Sequence, residues 1–237
     1  MSALSTSFQR AGIGACVFDA YGTLFDVNSA ARRCRDEVGD GWEALGDLWR
    51  AKQIQYTWLR SLMGRYVDFE QVTAEALDFA LEGAGMGAAP ADLRERLMEH
   101  YLRLDAYPEV AGVLARLKGA GMATAILSNR SPAMLATMVG HAGIGGDLDD
   151  VLSVDAIGVY KPAPEVYQMA VDRFGLAPER IAFLSSNGWD AAGAAAFGFQ
   201  VAWVNRTGQP AERLPAPPGA VLETLAGLPG LLGLGAD

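Results

Sequence analysis

Apolar positions along this chain follow two alternating rhythms. Short runs rich in β-formers (Ala15-Cys16-Val17-Phe18, Met122 to Leu127, Val151 to Val154, Ile181 to Leu184 and Val201 to Val204) each stop abruptly at polar residues. Between most of them lie longer stretches with the apolar spacing of an amphipathic helix. Continuous apolar runs alternating with helical stretches predict βα units and a parallel sheet covered on both faces. The interval after the first run breaks this rule. Asn28-Ser29 can cap a helix over Ala30 to Val38, which Gly39-Asp40-Gly41 stops. A long helix is predicted from Trp42 to about Met63, with Trp42, Leu45, Trp49, Tyr56, Leu59 and Leu62 as its apolar stripe and Gly64 as its end. A third is expected from Phe69 to about Leu81, and a fourth from Pro90 to Leu102 with Pro90 in its first turn. Four consecutive helices without a strand read as an all-helical insert.

From Pro108 the alternation resumes. Helices are predicted over Pro108 to Lys118, Pro132 to Val139 (capped by Ser131), Glu165 to Phe174 and Ala191 to Phe197, with a last one in the tail from Val221. The fold class is α/β: a doubly wound parallel-sheet, Rossmann-like core over residues 1–27 and 103–237, interrupted by a four-helix cap over residues 28–102. A cap inserted there sits above the carboxyl edge of the sheet, so a closed pocket between the two units is the expected ligand site.

Composition narrows the partners. With 237 residues, 51 % hydrophobic and 20 % charged, the chain can bury an ample core. Its net charge of −9 argues against nucleic acid or an anionic membrane surface, both of which need a basic footprint. A small anionic substrate remains compatible, because a few local cations reverse the potential inside a cleft. Cys16 and Cys34 form no CxxC and are expected to be buried reduced thiols. His100 and His141 lack ligand spacing, which speaks against a histidine metal site or a Ser-His-Asp triad. Met1 to Ile13 is polar with no apolar signal core, and no apolar run reaches membrane-spanning length. The expectation is a cytoplasmic protein with no membrane partner.

The ends of the apolar runs carry the candidate chemistry. Asp19 and Thr23 follow the first, Ser128 and Asn129 the second, Lys161 lies in a loop after the third, and Ser185, Asn187 and Asp190 follow the fourth. Each has a plain alternative: Asp19 as a turn residue or helix cap, Ser128-Asn129 as a cap, Lys161 as a solvated amine, Asp190 as a first-turn acid. All of them at corresponding strand ends in one α/β chain is a far less common accident. Lys161 can pair with both Asp19 and Asp190, holding one carboxylate in orientation to attack and leaving the other to handle water.

Asp19-Ala20-Tyr21-Gly22-Thr23-Leu24, Ser128-Asn129, Lys161-Pro162 and Ser185-Ser186-Asn187-Gly188-Trp189-Asp190 resemble the four motifs of the haloacid dehalogenase superfamily, and in detail those of the L-2-haloacid dehalogenases. The match extends to Leu48-Trp49-Arg50, Tyr56-Thr57-Trp58-Leu59-Arg60-Ser61-Leu62-Met63 and Asn205-Arg206-Thr207-Gly208, and so runs from about Ala15 to Gly208. The resemblance implies hydrolysis of (S)-2-haloalkanoic acids to (R)-2-hydroxy acids through an ester on Asp19, with halide as the other product and no cofactor or metal. By the same resemblance Thr23, Lys161 and Tyr167 position Asp19, and Arg50 accepts the halide with Asn129 assisting. Ser128, Asn129 and the backbone amides of Ala20 and Tyr21 bind the substrate carboxylate. Asn187 and Asp190 orient or activate water, and Ser185 joins the catalytic set. Tyr21, Ile54, Phe69 and Trp189 wall the alkyl group, with ordinary core packing as the alternative for Ile54 and Phe69. A homodimer is expected.

Two other readings are open. A magnesium-dependent phosphatase of the superfamily carries a second aspartate where Tyr21 stands, and further acids near Ser186-Asn187 to supply hard oxygen ligands. A non-catalytic binder of small carboxylic acids has no use for Asp19. Three departures from the family pattern bear on substrate range. Ala51 stands where glutamine is expected, removing an amide from the halide site. Arg130 replaces a glycine, placing a cation at the mouth or in solvent. Gly188 replaces an alanine, which could loosen the fourth loop.

Overall fold

A computed structural model describes residues 8–27, 33, 35–86 and 92–235. Residues 1–7, the Asn28-Ser29 cap, the start of the helix from Ala30, Cys34 and Pro90 lie outside the described residues. Six strands form one sheet: β1 (Ala15–Phe18), β2 (Ala123–Ser128), β3 (Asp150–Ser153), β4 (Ile181–Ser185), β5 (Gln200–Val204) and β6 (Ala220–Leu222). Their order is β3-β2-β1-β4-β5-β6, and every pairing is parallel. The chain winds outward from β1 through β2 to β3, then returns to β4 on the other side. The switch point therefore falls between β1 and β4, and the crevice at their carboxyl ends is where such sheets hold ligands. All four residues of β1 and all five of β4 are fully buried, which accounts for their unbroken apolar runs.

The helical segment between β1 and β2 comprises α1 (Arg35–Val38), α2 (Trp42–Met63), α3 (Phe69–Gly83) and α4 (Leu93–Leu102). Gly64 ends α2 at φ 62°, and the Asp68 carboxylate caps α3 by accepting from the Gln71 amide at 2.8 Å. The predicted apolar stripe of α2 holds only in its first half. Leu45 and Trp49 are buried, but Leu62 is 84 % exposed and the ridge continues inward through Gln53 and Thr57 instead. These four positions repeat every fourth residue, and the polar pair tolerates burial because each is bonded. Gln53 Nε2 donates to Thr73 Oγ1 at 2.7 Å, and Thr57 Oγ1 donates to the Ile54 carbonyl at 2.7 Å.

After α4 come α5 (Val110–Gly119), α6 (Pro132–Ala142), α7 (Pro164–Phe174), α8 (Gly188–Phe197) and α9 (Leu228–Leu231). Ser131 caps α6 through Met134 N at 3.4 Å. α8 starts three residues before the predicted Ala191, which brings Trp189 and Asp190 onto its first turn. The tail also departs from expectation. Ala220 to Leu222 is an edge strand beside β5, not the start of a helix. Pro217, Pro218 and Gly219 deliver it extended, and the tail's helix begins only later, as a 3-10 turn at Leu225–Gly227 that runs into α9. Cys16 is buried in β1, where burial pushes its thiol up to about 12, so it stays protonated and unreactive.

Candidate active site

Asp19 is the first residue beyond β1, and its amide extends the ladder by one rung to the Leu184 carbonyl at 2.8 Å. Its side chain is only 9 % exposed. The next turn depends on Gly22, at φ 73°. A Cβ there would also lie 2.5 Å from Ser186 Oγ, so the loops after β1 and β4 close on each other only over a glycine. That closure lets Ser186 Oγ donate to the Tyr21 carbonyl at 3.1 Å and Thr23 Oγ1 accept from Ser186 N at 2.8 Å.

Three side chains bind the Asp19 carboxylate. Lys161 Nζ donates to Oδ1 at 3.1 Å, Asn187 Nδ2 to Oδ2 at 2.9 Å, and Thr23 Oγ1 to Oδ2 at 3.3 Å. Lys161 also reaches Asp190 Oδ2 at 2.9 Å and is itself buried. Burial works against its ammonium, but the charges of Asp19 and Asp190 outweigh it and leave lysine protonated more firmly than usual. Burial pushes the Asp190 carboxyl above the ordinary range, against the pull of Lys161. Tyr167 OH donates to Asp190 Oδ1 at 2.8 Å, and burial followed by the Asp190 charge raises that phenol well above its ordinary value.

Asp19, Thr23, Lys161, Asn187, Asp190 and Tyr167 are thus one hydrogen-bonded chain, but not in every expected arrangement. Tyr167 contacts Asp190 rather than Asp19. It passes close to α8, where a Cβ on Gly193 would sit 2.6 Å from its hydroxyl. Asn187, expected at the water, lies on Asp19 itself. Ser185 is buried and its hydroxyl serves the loop rather than the Asp19 carboxylate, accepting from Asn187 N at 3.2 Å. Ser128 and Asn129 stand beside Asp19 along the same chamber, with Asn129 Oδ1 accepting from Lys161 N at 3.0 Å.

The chamber has a volume of about 20 Å³ and is lined by Asp19, Tyr21, Arg50, Ile54, Thr57, Phe69, Ser128, Asn129, Arg130, Lys161, Asn187 and Trp189. That is room for one water molecule or so. A cleft of about 720 Å³ adjoins it, sharing Tyr21, Arg50, Ile54, Asn187 and Trp189. Arg50 reaches the chamber from α2, donating to Gln53 Oε1 at 2.8 Å and Asn187 Oδ1 at 3.2 Å. It therefore ties the helical segment to the loop after β4.

The three departures resolve differently from expectation. Ala51 is exposed and outside the chamber; the amide beside Arg50 belongs to Gln53, which also accepts from Tyr101 OH at 2.8 Å. Gly188 receives the Glu212 side chain, whose Cγ would lie 2.6 Å from an added Cβ, so it makes a close contact rather than a loose loop. Arg130 is neither at the mouth nor in solvent but fully buried. Its guanidinium carbon lies 3.4 Å from the centre of the Tyr21 ring. Burial pushes its pKa well below the ordinary arginine value, and the charge of Asp19 pulls it back.

Gln53, Thr73, Tyr101 and Arg206 complete the support without having been singled out for it. Arg206 donates to the Thr23 carbonyl at 2.8 Å and the Gly22 carbonyl at 3.1 Å, pairs with Glu109 at 2.7 Å, and so clamps the loop after β1. Thr73 carried a readable signal, as a polar residue on the otherwise apolar buried ridge of α3. Gln53 and Tyr101 carried none in their local pattern, and Arg206 stood only within the Asn205-Arg206-Thr207-Gly208 match, with no role attached to it.

A carboxylate held by lysine at the switch point, beside a second carboxylate and under helices, is the geometry of a covalent hydrolase site. The haloacid dehalogenase-like hydrolase family matches residues 13–198. The chain belongs to that family. Within it, the chain is 49 % identical over 220 residues to (S)-2-haloacid dehalogenase 1 of Pseudomonas sp. (strain CBS-3), covering 93 % of this chain and 96 % of that protein. It is 48 % identical over 198 residues to (S)-2-haloacid dehalogenase 4A of Burkholderia cepacia, covering 84 % and 85 %. The solved structure of the L-2-haloacid dehalogenase from Xanthobacter autotrophicus, with chloropropionic acid covalently bound, superposes with a TM-score of 0.86 at 39 % identity, over 94 % of this chain and all of that one. Haloacid dehalogenase-like hydrolases are thus the frame in which the Asp19 site is to be read.

Proposed function

We propose that this chain is an (S)-2-haloacid dehalogenase, hydrolysing (S)-2-haloalkanoic acids to (R)-2-hydroxyalkanoic acids and halide through an ester on Asp19. The observation that carries this reading is the Asp19 carboxylate itself: buried, held by three donors, and facing a chamber too small to hold bulk water. A carboxylate is a weak nucleophile in water. Stripped of its hydration shell and aligned at about 3–3.5 Å from carbon, it is a competent one. The covalent chloropropionic acid in the Xanthobacter autotrophicus structure supports the same chemistry here.

In the first step an Asp19 oxygen bonds to C2 from behind the carbon–halogen bond, and that bond's electron pair leaves with the halide. C2 inverts. Water then adds to the Asp19 carbonyl carbon, giving a proton to Asp190. Cleavage of the acyl–oxygen bond returns the carboxylate and frees the hydroxy acid, with C2 untouched. The balance is haloacid plus water giving hydroxy acid, halide and one proton. Asp190 suits the base role because burial raises its basicity while Lys161 and Tyr167 fix its orientation. Thr23 and Asn187 fix the second Asp19 oxygen, and Tyr167 acts through Asp190. Ser185 shapes the loop that carries Asn187. Ser128, Asn129 and the amides of Ala20 and Tyr21 are assigned to the substrate carboxylate, Arg50 and Asn129 to the halide. Tyr21, Ile54, Phe69 and Trp189 are assigned to the alkyl wall.

Residues 28–102 act in this reading as a cap over a core of residues 1–27 and 103–237. Arg50, reaching across to Asn187, supports that division. A homodimer is proposed from the exposed Leu59, Leu62 and Met63 on α2 and Phe79 on α3. Among the described residues no helix is long and apolar enough to cross a membrane; a cytoplasmic location is part of the proposal.

The test is halide release from (S)- and (R)-2-chloropropionate with EDTA present. Chloride from the (S) form alone, accompanied by the (R)-hydroxy acid, is the expected result. No release from either form by folded protein overturns the assignment, and magnesium-dependent turnover of p-nitrophenyl phosphate in its place would favour a phosphatase.

A further inference from the structure

The chamber beside Asp19 contains a cation that the mechanism so far leaves without work. Arg130 is fully buried, yet no carboxylate of the described residues lies within ion-pair distance of it. Its donors find only weak or partial partners. Nη1 meets the Met138 sulfur at 2.9 Å, Nη2 meets the Tyr101 carbonyl at 3.3 Å, and Nε has no acceptor at all. Buried donors are rarely left this way, and each such case calls for an explanation. Among the described residues one other buried side-chain nitrogen lacks a partner, Trp189 Nε1. Both atoms are donors, and both belong to residues lining the same chamber. Unfilled donors there point to an anion.

Charge gives the same answer. The charged residues at the chamber are Asp19, Arg50, Arg130 and Lys161, with Asp190 behind Lys161. Three are positive and two negative, an excess of one positive charge in a buried space. A guanidinium keeps its proton even there. The charge of Asp19 is the one that offsets the burial of Arg130. Alkylation of Asp19 removes that charge and delivers it to the departing halogen. Position agrees too. Lys161, Thr23 and Asn187 occupy the Asp19 oxygens, whereas Arg50 and Arg130 gather at the Tyr21 ring, their guanidinium carbons 5.6 and 3.4 Å from its centre, and neither bonds Asp19. In-line displacement sends the halide away from the attacking oxygen.

We propose that Arg130 is a halide-stabilising residue of this site, sharing with Arg50 the negative charge that passes from Asp19 to the leaving group. This rests on the dehalogenase reading. As the Asp19 oxygen–C2 bond forms and the carbon–halogen bond breaks, Arg130 exchanges one anion for another. It therefore lowers the barrier more than it tightens substrate binding. Poorer leaving groups, which need more help, gain most from it.

The test compares full-length wild type, Arg130→Met and Arg130→Lys on (S)-2-chloro- and (S)-2-bromopropionate, with product inhibition by added chloride and bromide. Arg130→Met is expected to lose about 10²-fold in kcat on the chloro acid and only about tenfold on the bromo acid, the scale of one lost donor to developing charge. Inhibition by added halide should weaken about tenfold, and Arg130→Lys, which keeps the charge, should recover part of the chloro activity and part of the inhibition. Equal losses on both substrates with halide inhibition unchanged would overturn the proposal, whether they came from a damaged fold or from weaker carboxylate binding seen in KM. If Arg130→Met does not fold, Arg130→Lys decides by the same halogen ratio. Wild type that releases no halide overturns the dehalogenase reading first, and the Arg130 proposal with it.

Discussion

Asp19→Asn is expected to stop halide release, by about 10⁴-fold or more, the scale of removing a group that itself forms a reacting bond. An amide oxygen at that position cannot displace halogen, and the substitution also disturbs what holds it. Lys161 donates to one Asp19 oxygen, Thr23 and Asn187 to the other. An amide NH2 placed on either side faces a donor. The Lys161 charge is still met by Asp190 at 2.9 Å, so the fold should survive. The discriminating measurement is therefore paired: halide release, and affinity for propionate, which has no halogen to lose. The expected pair is lost turnover with propionate binding kept or strengthened, because one buried negative charge has gone. A wild type that binds propionate but never releases halide from a haloacid would instead describe a carboxylate-binding protein.

Lys161→Met is expected to cost both activity and stability. The lysine ammonium separates two carboxylates whose side chains are 9 % and 0 % exposed. Taking away one partner of a buried ion pair leaves uncompensated charge, typically about 3–5 kcal/mol. Without the ammonium, one of the two carboxylates takes up a proton. Either Asp19 then loses its nucleophile or Asp190 its role as base, so halide release should fall at least about 10²-fold, the lower end for losing a general base.

The pH dependence has a definite sign. Asp19 and Asp190 raise the Lys161 pKa above its ordinary 10.5 in the folded protein, even though burial acts the other way. The stabilisation is accordingly complete below 10.5 and is lost as pH rises from there through the folded-state value. Denaturant unfolding should show a gap between wild type and Lys161→Met at neutral pH, and a loss of wild-type stability above about 10.5 that Lys161→Met does not share. A gap that is absent at neutral pH would contradict the view that this lysine holds the site together.

The sheet and the carboxylate were legible because both follow from short-range rules. Fully buried parallel strands must read as apolar runs, and β1 and β4 do. A carboxylate and a glycine just after such a run mark the edge of the switch point, where Asp19 and Gly22 are found. The bounds of α2 were legible for the same kind of reason, since Gly64 is its left-handed stop. What could not be read were interactions that compensate each other across the chain. Gln53 and Thr57 look like solvent positions until Thr73 and Tyr101 arrive from α3 and α4 to bond Gln53. Leu62 looks like core, yet it is 84 % exposed. Tyr167 was expected on Asp19 because both belong to the site, but the approach of α7 to α8 over Gly193 brings its hydroxyl to Asp190 first. Arg130 shows the limit most clearly. Its neighbours in sequence, Ser128 and Asn129, say that a strand end is near, but only the packing of Tyr21, Tyr101 and Met138 around it shows a guanidinium enclosed at the chamber.

The central claim is that Asp19 is alkylated and then restored by water attacking its own carbonyl carbon. A single turnover of excess enzyme on (S)-2-chloropropionate in ¹⁸O-water, followed by mass analysis of the peptide containing residue 19 and of the product, tests this directly. The account predicts label in the Asp19 carboxylate and an unlabelled new hydroxyl in the lactate from that first turnover. Label in the hydroxyl with none in Asp19 would mean that water reached C2 itself, and would contradict it.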